Sequence, residues 1–514
     1  MHGRFRSLTM QPKNLFAAID LGSNSFRLEI GRLENGHLRR VEYLKETVRQ
    51  GNGLDAERNL SEEAMQRGWA CLARFGERIA GFRNANVRAV ATQTLREARN
   101  RDAFLSQARK ILGFPIEVIA GREEARLIYL GVSHLLPDSP ERRLVVDIGG
   151  RSTELILGQE HSPQVLESYR VGSVAWSMKY FPAGQWTASA FETAEVAAKA
   201  VLDEALVQYP PQAWDTAYGS SGTIGAVADA LQANGWPGDK ITREALDWLV
   251  DKLIRAQRAE NLRLEGIKDD RRPVIGGGVA VLRALFDLLQ IDTLYPAQGA
   301  LRHGALFDLI HREDPHTDVR TRMIDWLATH FDTDKLQGER VAETAAQLFE
   351  QLAEEPGTHT AEDTRNLRKL QWAARVHEIG MLISHSDYHK HGAYILENTD
   401  LQGFTVDELQ RLGLLVLGHR GKLRKLEGTI HDGVFAQQLL CLRLAVIFCH
   451  ARRDPDLQGI VLVRMGNTFQ LHVPAQWQAR HPQSAHLLRE EVISWQKSPW
   501  RTQLRLHTPE KTSA

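Results

Sequence analysis

Two stretches hold the residues best suited to chemistry, "IDLGSNSFRLEIG" (Ile19 to Gly31) and "VDIGGRSTELILG" (Val146 to Gly158). They align without a gap: Asp20 with Asp147, Gly22 with Gly149, Ser25 with Ser152, Leu28 with Leu155 and Gly31 with Gly158. A single Asp-x-Gly arises by chance, whereas this shared pattern points to an internal duplication. Each stretch reads as an apolar strand, a turn of small residues and a returning strand. Such a turn aims backbone N–H groups at an anion and adds a carboxylate for a metal ion. Facing each other across a cleft, Ser23, Asn24 and Ser25 of one turn and Gly149, Gly150, Arg151, Ser152 and Thr153 of the other would bind phosphate. Asp20 and Asp147 would hold Mg²⁺ directly or through water. Either turn alone is equally well an ordinary hairpin, and the repeat is what favours a site.

Arg151 is unusual there, a long cation among small residues, and its partner in the repeat is Asn24. Two placements are open: its guanidinium reaches the bound phosphates, or it points outward as a solvated charge. A site built for a highly charged anion favours the first. Arg96 follows "VRAVATQT", where a strand passes into a helix, and can add bidentate charge to amides already aimed at an anion. "GSSGT" is a further small-residue turn, whose Ser221, Gly222 and Thr223 amides suit a phosphate. "VIGGGVAVL" suits close packing of a helix against a sheet.

The elements that position these residues change along the chain. Up to about residue 308, strand-like runs alternate with amphipathic helices, the pattern of an α/β fold. From Val319 to Ala451 the pattern is helical, and "GIVLVRMGNTFQLHVP" then reads as a β-hairpin turning at Gly466-Asn467. A length of 514 residues suits two to four domains. With 64 basic and 64 acidic residues the net charge is zero, so no nucleic-acid partner is expected and any polyanion must meet a local patch. The three cysteines, Cys71, Cys441 and Cys449, indicate a reducing compartment and read as buried packing. The polar start "MHGRFRSLTMQPKN" lacks a secretory pattern and no apolar run reaches about 20 residues, so a cytoplasmic location is expected, with peripheral attachment at the inner membrane face as the alternative.

Six ordered motifs, "AAIDLGSNSFRL", "ATQTLREA", "GREEARLIYLGV", "DIGGRSTELI", "GSSGT" and "GALRHGAL", resemble the exopolyphosphatase and guanosine pentaphosphate phosphohydrolase family. The resemblance implies a duplicated α/β core of the sugar kinase, heat-shock protein 70 and actin superfamily. It implies actin-like subdomains at 1–128 and 129–310, a helical module resembling a His-Asp phosphohydrolase at 311–453, and a small C-terminal α+β domain at 454–514. It places the catalytic base at Glu124, with Glu123 as competitor, and a second essential carboxylate at Glu154. Glu154 would orient water or join Asp20 and Asp147 as metal ligand. It puts Arg96 on substrate phosphate, and "VIGGGVAVL" resembles the superfamily's adenosine-side turn. Mg²⁺ is the expected cofactor, with Mn²⁺ or a monovalent cation as alternatives.

In the helical module, His377-Glu378 stands where a His-Asp enzyme has its metal-binding doublet, so a second metal is not expected. His385, His389, His391, Arg420 and Lys422 read either as a solvated basic face or as a polyphosphate track. The resemblance implies terminal phosphate removal from inorganic polyphosphate by a homodimer. The alternative is conversion of guanosine pentaphosphate to the tetraphosphate by the same chemistry. A kinase on this fold and a noncatalytic polyphosphate or alarmone sensor are the more distant readings.

Overall fold

The structure, a computed structural model, describes residues 14–34, 37–311, 318–352, 360–496 and 498–507. The polar start, residues 1–13, lies outside them. The chain divides into two compact units, Met1–Asp318 with Asp400–Thr405, and Val319–Thr399 with Val406–Ala514.

The first unit contains two sheets of one design. In the first, β1 (Leu15–Leu21), β2 (Phe26–Glu34) and β3 (His37–Glu46) form an antiparallel meander. There β4 (Val87–Ala91) and β5 (Ile116–Val118) add in parallel on the far side of β1, giving the order β3-β2-β1-β4-β5. The second sheet uses β6 (Arg142–Ile148), β7 (Thr153–Gln159), β8 (Ser162–Tyr169), β9 (Thr216–Ser220), β10 (Ile241–Thr242) and β11 (Thr293–Pro296). Its order, β8-β7-β6-β9-β11-β10, repeats the first with one added edge strand. The repeat extends to an irregularity, since the register shifts between Ile30 and Gly31 in one sheet and between Leu157 and Gly158 in the other. Those pairs are equivalent in the sequence alignment, and a bulge kept at the same place supports duplication. This is the duplicated core of the sugar kinase, heat-shock protein 70 and actin superfamily. The central strands β1 and β6 lie between neighbours with helices on both faces, hence their continuous apolar runs.

Two further motifs are the two sides of one contact. The helix Gly121–Ser133, which carries Glu124, packs on the helix Leu301–His311. A Cβ on Gly304 would lie 1.7 Å from the Leu127 carbonyl oxygen, and one on Gly131 would lie 2.3 Å from that of Ala300. Only glycine permits backbones this close, so "GREEARLIYLGV" and "GALRHGAL" together fix where Glu124 stands. The Gly276–Gly278 run likewise packs helix on helix: the Gly277 N–H donates to Ser177 Oγ at 3.1 Å, and the run does not line the central cavity.

Among the described residues, the second unit carries helices from Val319–His330 to Gly433–Phe448, followed by β12 (Val461–Met465), β13 (Thr468–Pro474) and β14 (Arg501–His507). β12 and β13 pair antiparallel around Gly466, as the sequence predicts. Cys71, Cys441 and Cys449 are buried free thiols. No helix among the described residues is long and apolar enough to cross a membrane.

Candidate active site

The two Asp-x-Gly turns face each other within the first unit. A Cβ on Gly150 would sit 3.0 Å from Ser23 Cβ, so the turns touch. Between them opens a cavity of about 370 Å³ lined by Asp20, Ser23, Asn24 and Ser25, by Asp147, Gly149, Gly150 and Ser152, and by Ser221, Gly222, Thr223 and Glu124. Sequence-distant motifs therefore converge on one site. Ser221 adopts φ 91° at the junction of β9 and its helix, a strained conformation for a residue with a Cβ and one that clusters at functional turns. Two polar groups of the first turn, Asn24 Nδ2 and Ser25 Oγ, are buried without a hydrogen-bond partner. Such groups are costly in a finished core, so this turn keeps hydrogen-bonding capacity free for a ligand.

The repeat makes opposite electrostatic choices in its two halves. Across β1 and β2, Asp20 opposes Arg27, and Arg27 Nη1 donates to Asp20 Oδ2 at 2.8 Å. Across β6 and β7, the equivalent pair is Asp147 opposite Glu154, two carboxylates. Like charges directly opposite in a sheet repel. Burial raises the Asp147 pKa to about 6, with Asp20 adding to the effect. Burial, then Glu124 and Asp147, push Glu154 well above the usual carboxylate range. Ser168 Oγ donates to Glu154 Oε1 at 2.7 Å, while Oε2 is buried without a partner.

Glu124 sits in the first turn of its helix. Burial raises its pKa to about 7, and Arg96, whose Nη1 donates to Glu124 Oε2 at 2.9 Å, opposes the rise. Glu124 therefore titrates near neutrality, and its charge adds to the rise at Glu154. The choice between adjacent glutamates is settled by helix geometry, since neighbours point about 100° apart. Glu123 is fully buried, pairs with Arg88 and Arg126, and accepts the Gly403 N–H at 2.6 Å. That leaves Glu124 alone facing the cavity.

Three residues expected at the phosphates do not line this cavity. Arg96 does not line the cavity, because its guanidinium is held by Glu124, Gln93 and the Ile119 carbonyl. Thr153 is buried and spends its hydroxyl on the Val171 carbonyl at 2.6 Å. Arg151 turns away from the cavity, toward Glu97 and the Gly51 carbonyl. Conversely, sequence reasoning missed Arg27, Lys45, Lys268, Arg271 and Arg302, which line the same cavity. Arg27 was within reach, since the repeat alignment sets it opposite Glu154. Arg271 owes its place to Gly222, where a Cβ would meet its guanidinium at 2.0 Å.

A hard divalent cation fits the oxygen donors of Asp20 and Asp147. Of the three carboxylates expected as metal ligands, Asp20 and Asp147 line the cavity, while Glu154 is 1% exposed and does not line it. Among the described residues no three His, Cys, Asp or Glu side chains form a metal-holding group. Magnesium is commonly held by one or two carboxylates with phosphate and water oxygens completing its shell.

In the second unit, His377 is buried with Nδ1 2.6 Å from the Ala374 carbonyl, and Glu378 pairs with Arg452. His385, Arg420 and Lys422 are exposed, with Arg420 stacked over the Tyr388 ring at 4.7 Å, and His391 is half-buried. His389 differs from these in its burial. It is buried, and burial followed by Lys425 and Arg420 lowers its pKa to about 4, so it is neutral near pH 7.

The duplicated α/β core thus sets three small-residue turns beside carboxylates and cations around one cavity. Residues 30–313 match the model of the Ppx/GppA phosphatase family, and residues 319–492 match domain III of the same family. The chain belongs to the Ppx/GppA phosphatase family. It is 40% identical over 497 residues to the guanosine-5'-triphosphate,3'-diphosphate pyrophosphatase of Vibrio atlanticus, covering 95% of this chain and 98% of that one. It is 37% identical over 492 residues to the same-named protein of Pseudoalteromonas translucida, covering 95% and 98%. A solved exopolyphosphatase-like protein matches at 28% identity with TM-score 0.52, over 58% of this chain and 98% of that chain.

Proposed function

We propose that this protein is a guanosine pentaphosphate 5'-phosphohydrolase, releasing orthophosphate and guanosine tetraphosphate. This reverses the order of the two substrates expected from the sequence, where polyphosphate stood first. The observation that carries it is the full-length similarity to relatives named for the guanosine substrate. The cavity's chemistry agrees. Arg27, Lys45, Lys268, Arg271 and Arg302 line it beyond the turns, three of them paired with Asp20, Asp270 and Glu29, and they extend the cationic lining past a single phosphate chain. Burial and then Arg27 lower the Arg271 pKa, a crowding of cations that an anion relieves.

In this reading the Asp-x-Gly turns and the Ser221–Thr223 turn hold the terminal phosphates. Glu124 accepts a proton from water as its oxygen attacks the terminal phosphorus. The bond to the bridging oxygen breaks, and the negative charge leaves with the tetraphosphate. Mg²⁺ bound by Asp20 and Asp147 would neutralise charge developing on the phosphate oxygens. Arg96 keeps Glu124 oriented, and Glu154 shares its proton equilibrium.

The test compares phosphate release from guanosine pentaphosphate and from long-chain polyphosphate at matched phosphate concentrations. A higher kcat/KM on the nucleotide is expected. A clear preference for polyphosphate would restore the other reading.

A further inference from the structure

Arg151 belongs by sequence to the turn of the second half, yet its side chain is bound to the first. Its Nε and Nη2 each lie 3.1 Å from Glu97 Oε2, and Nη1 donates to the Gly51 carbonyl at 3.2 Å. The aliphatic part packs over Gly51, where a Cβ would come 3.3 Å from Arg151 Cδ and 3.2 Å from Ser23 Cβ. The pair is 22% and 15% exposed and stands beside the place where Gly150 touches Ser23. One side chain therefore ties together the two turns that form the phosphate site, without lining the site itself. A planar guanidinium suits this, since it can serve a carboxylate and a carbonyl at once.

We propose that the Arg151–Glu97 pair is a latch that holds the two halves of the catalytic unit closed, setting substrate affinity without touching substrate. Arg151 is thus a positioning residue. A partly exposed ion pair biases such an equilibrium by up to about fivefold, and apparent affinity scales with the closed fraction. Saturating substrate closes the cleft by its own contacts, so kcat does not depend on the latch. The inference uses the phosphohydrolase reading only for its kinetic assay, and amide exchange reports on the latch without substrate.

Arg151→Gln, Glu97→Gln and the double variant separate this from simple electrostatics. Removing the Glu97 charge near a phosphate site should, by Coulomb attraction alone, lower KM for an anionic substrate. The latch requires the opposite. Each single variant is expected to raise KM about two- to fivefold with kcat within about twofold of the parent, and the double variant to be no worse than either single. Amide exchange over residues 22–25 and 149–152 is expected to quicken equally in all three. A lowered or unchanged KM in Glu97→Gln, additive effects in the double variant, or unaltered exchange would each overturn the latch. If the substrate assignment alone is wrong, turnover is absent in parent and variants alike while the exchange result stands.

Discussion

At the scale of single residues, the site depends on burying carboxylates that would rather be neutral. Glu124 must be ionised to accept a proton, and its pKa of about 7 places the acid limb of kcat/KM near neutrality, with activity rising as pH rises. Arg96→Gln removes the cation that restrains this pKa and should move the limb to higher pH. An unmoved limb would mean that Glu124 is not the titrating base. Glu124→Gln should lower kcat by about 10²–10⁴ with KM little changed. The same groups govern stability. Asp147, Glu124 and Glu154 all have raised folded-state pKa values, so the folded protein holds their protons where the unfolded chain releases them. The contributions of Asp147 and Glu124 are fully present below about pH 4 and are lost as pH rises through about 6 to 7, and that of Glu154 is lost in the same direction. Metal-free protein should therefore melt lower at about pH 8 than at about pH 5.5. Glu154→Gln should flatten that dependence and raise Tm at the higher pH by about 2–4 °C while impairing turnover. Calorimetry across pH checks both, and a steeper slope in the variant would count against Glu154 as a source.

At the scale of elements, one helix contact sets the position of Glu124, the proposed base. The helix Gly121–Ser133 meets the helix Leu301–His311 backbone to backbone at Gly131 and Gly304. Adding side-chain volume there forces the helices apart, because the obstruction is a carbonyl rather than a movable side chain. Gly304→Val should destabilise the first unit by about 1–3 kcal/mol and reduce kcat, since Glu124 moves with its helix. A thermal transition and kcat like the parent's would show that the contact can relax without disturbing the site.

At the scale of the whole molecule, the catalytic unit is not a continuous stretch of sequence. Residues Asp400–Thr405 belong to it, with Thr405 bridging to Ile119 and the Gly403 N–H donating to Glu123. Glu123 is paired with Arg88 and Arg126 and neighbours the base, so this segment supports the start of the Glu124 helix. A chain ending after Asp318 should show faster amide exchange over residues 119–126 and a lower kcat than the full chain on the same substrate. Equal protection and equal kcat would show that the segment is dispensable.

The sequence by itself determined the duplication, the two Asp-x-Gly turns, the α/β-then-helical order and the family, because each is written in contiguous motifs with local periodicity. Even the matched bulges fall at glycines that the repeat aligns, Gly31 and Gly158. Tertiary structure alone decided which of two adjacent glutamates faces the cavity, since that depends on what packs against each face of their helix. It also decided where long side chains end. Arg96, Arg151 and Arg271 each reach a partner that sequence spacing does not specify, so Arg151 leaves a phosphate turn to bind Glu97 while Arg271 enters the cavity over Gly222. Short motifs fix the backbone of a site, whereas the destination of a flexible cation is set by which distant charges the fold brings within its reach.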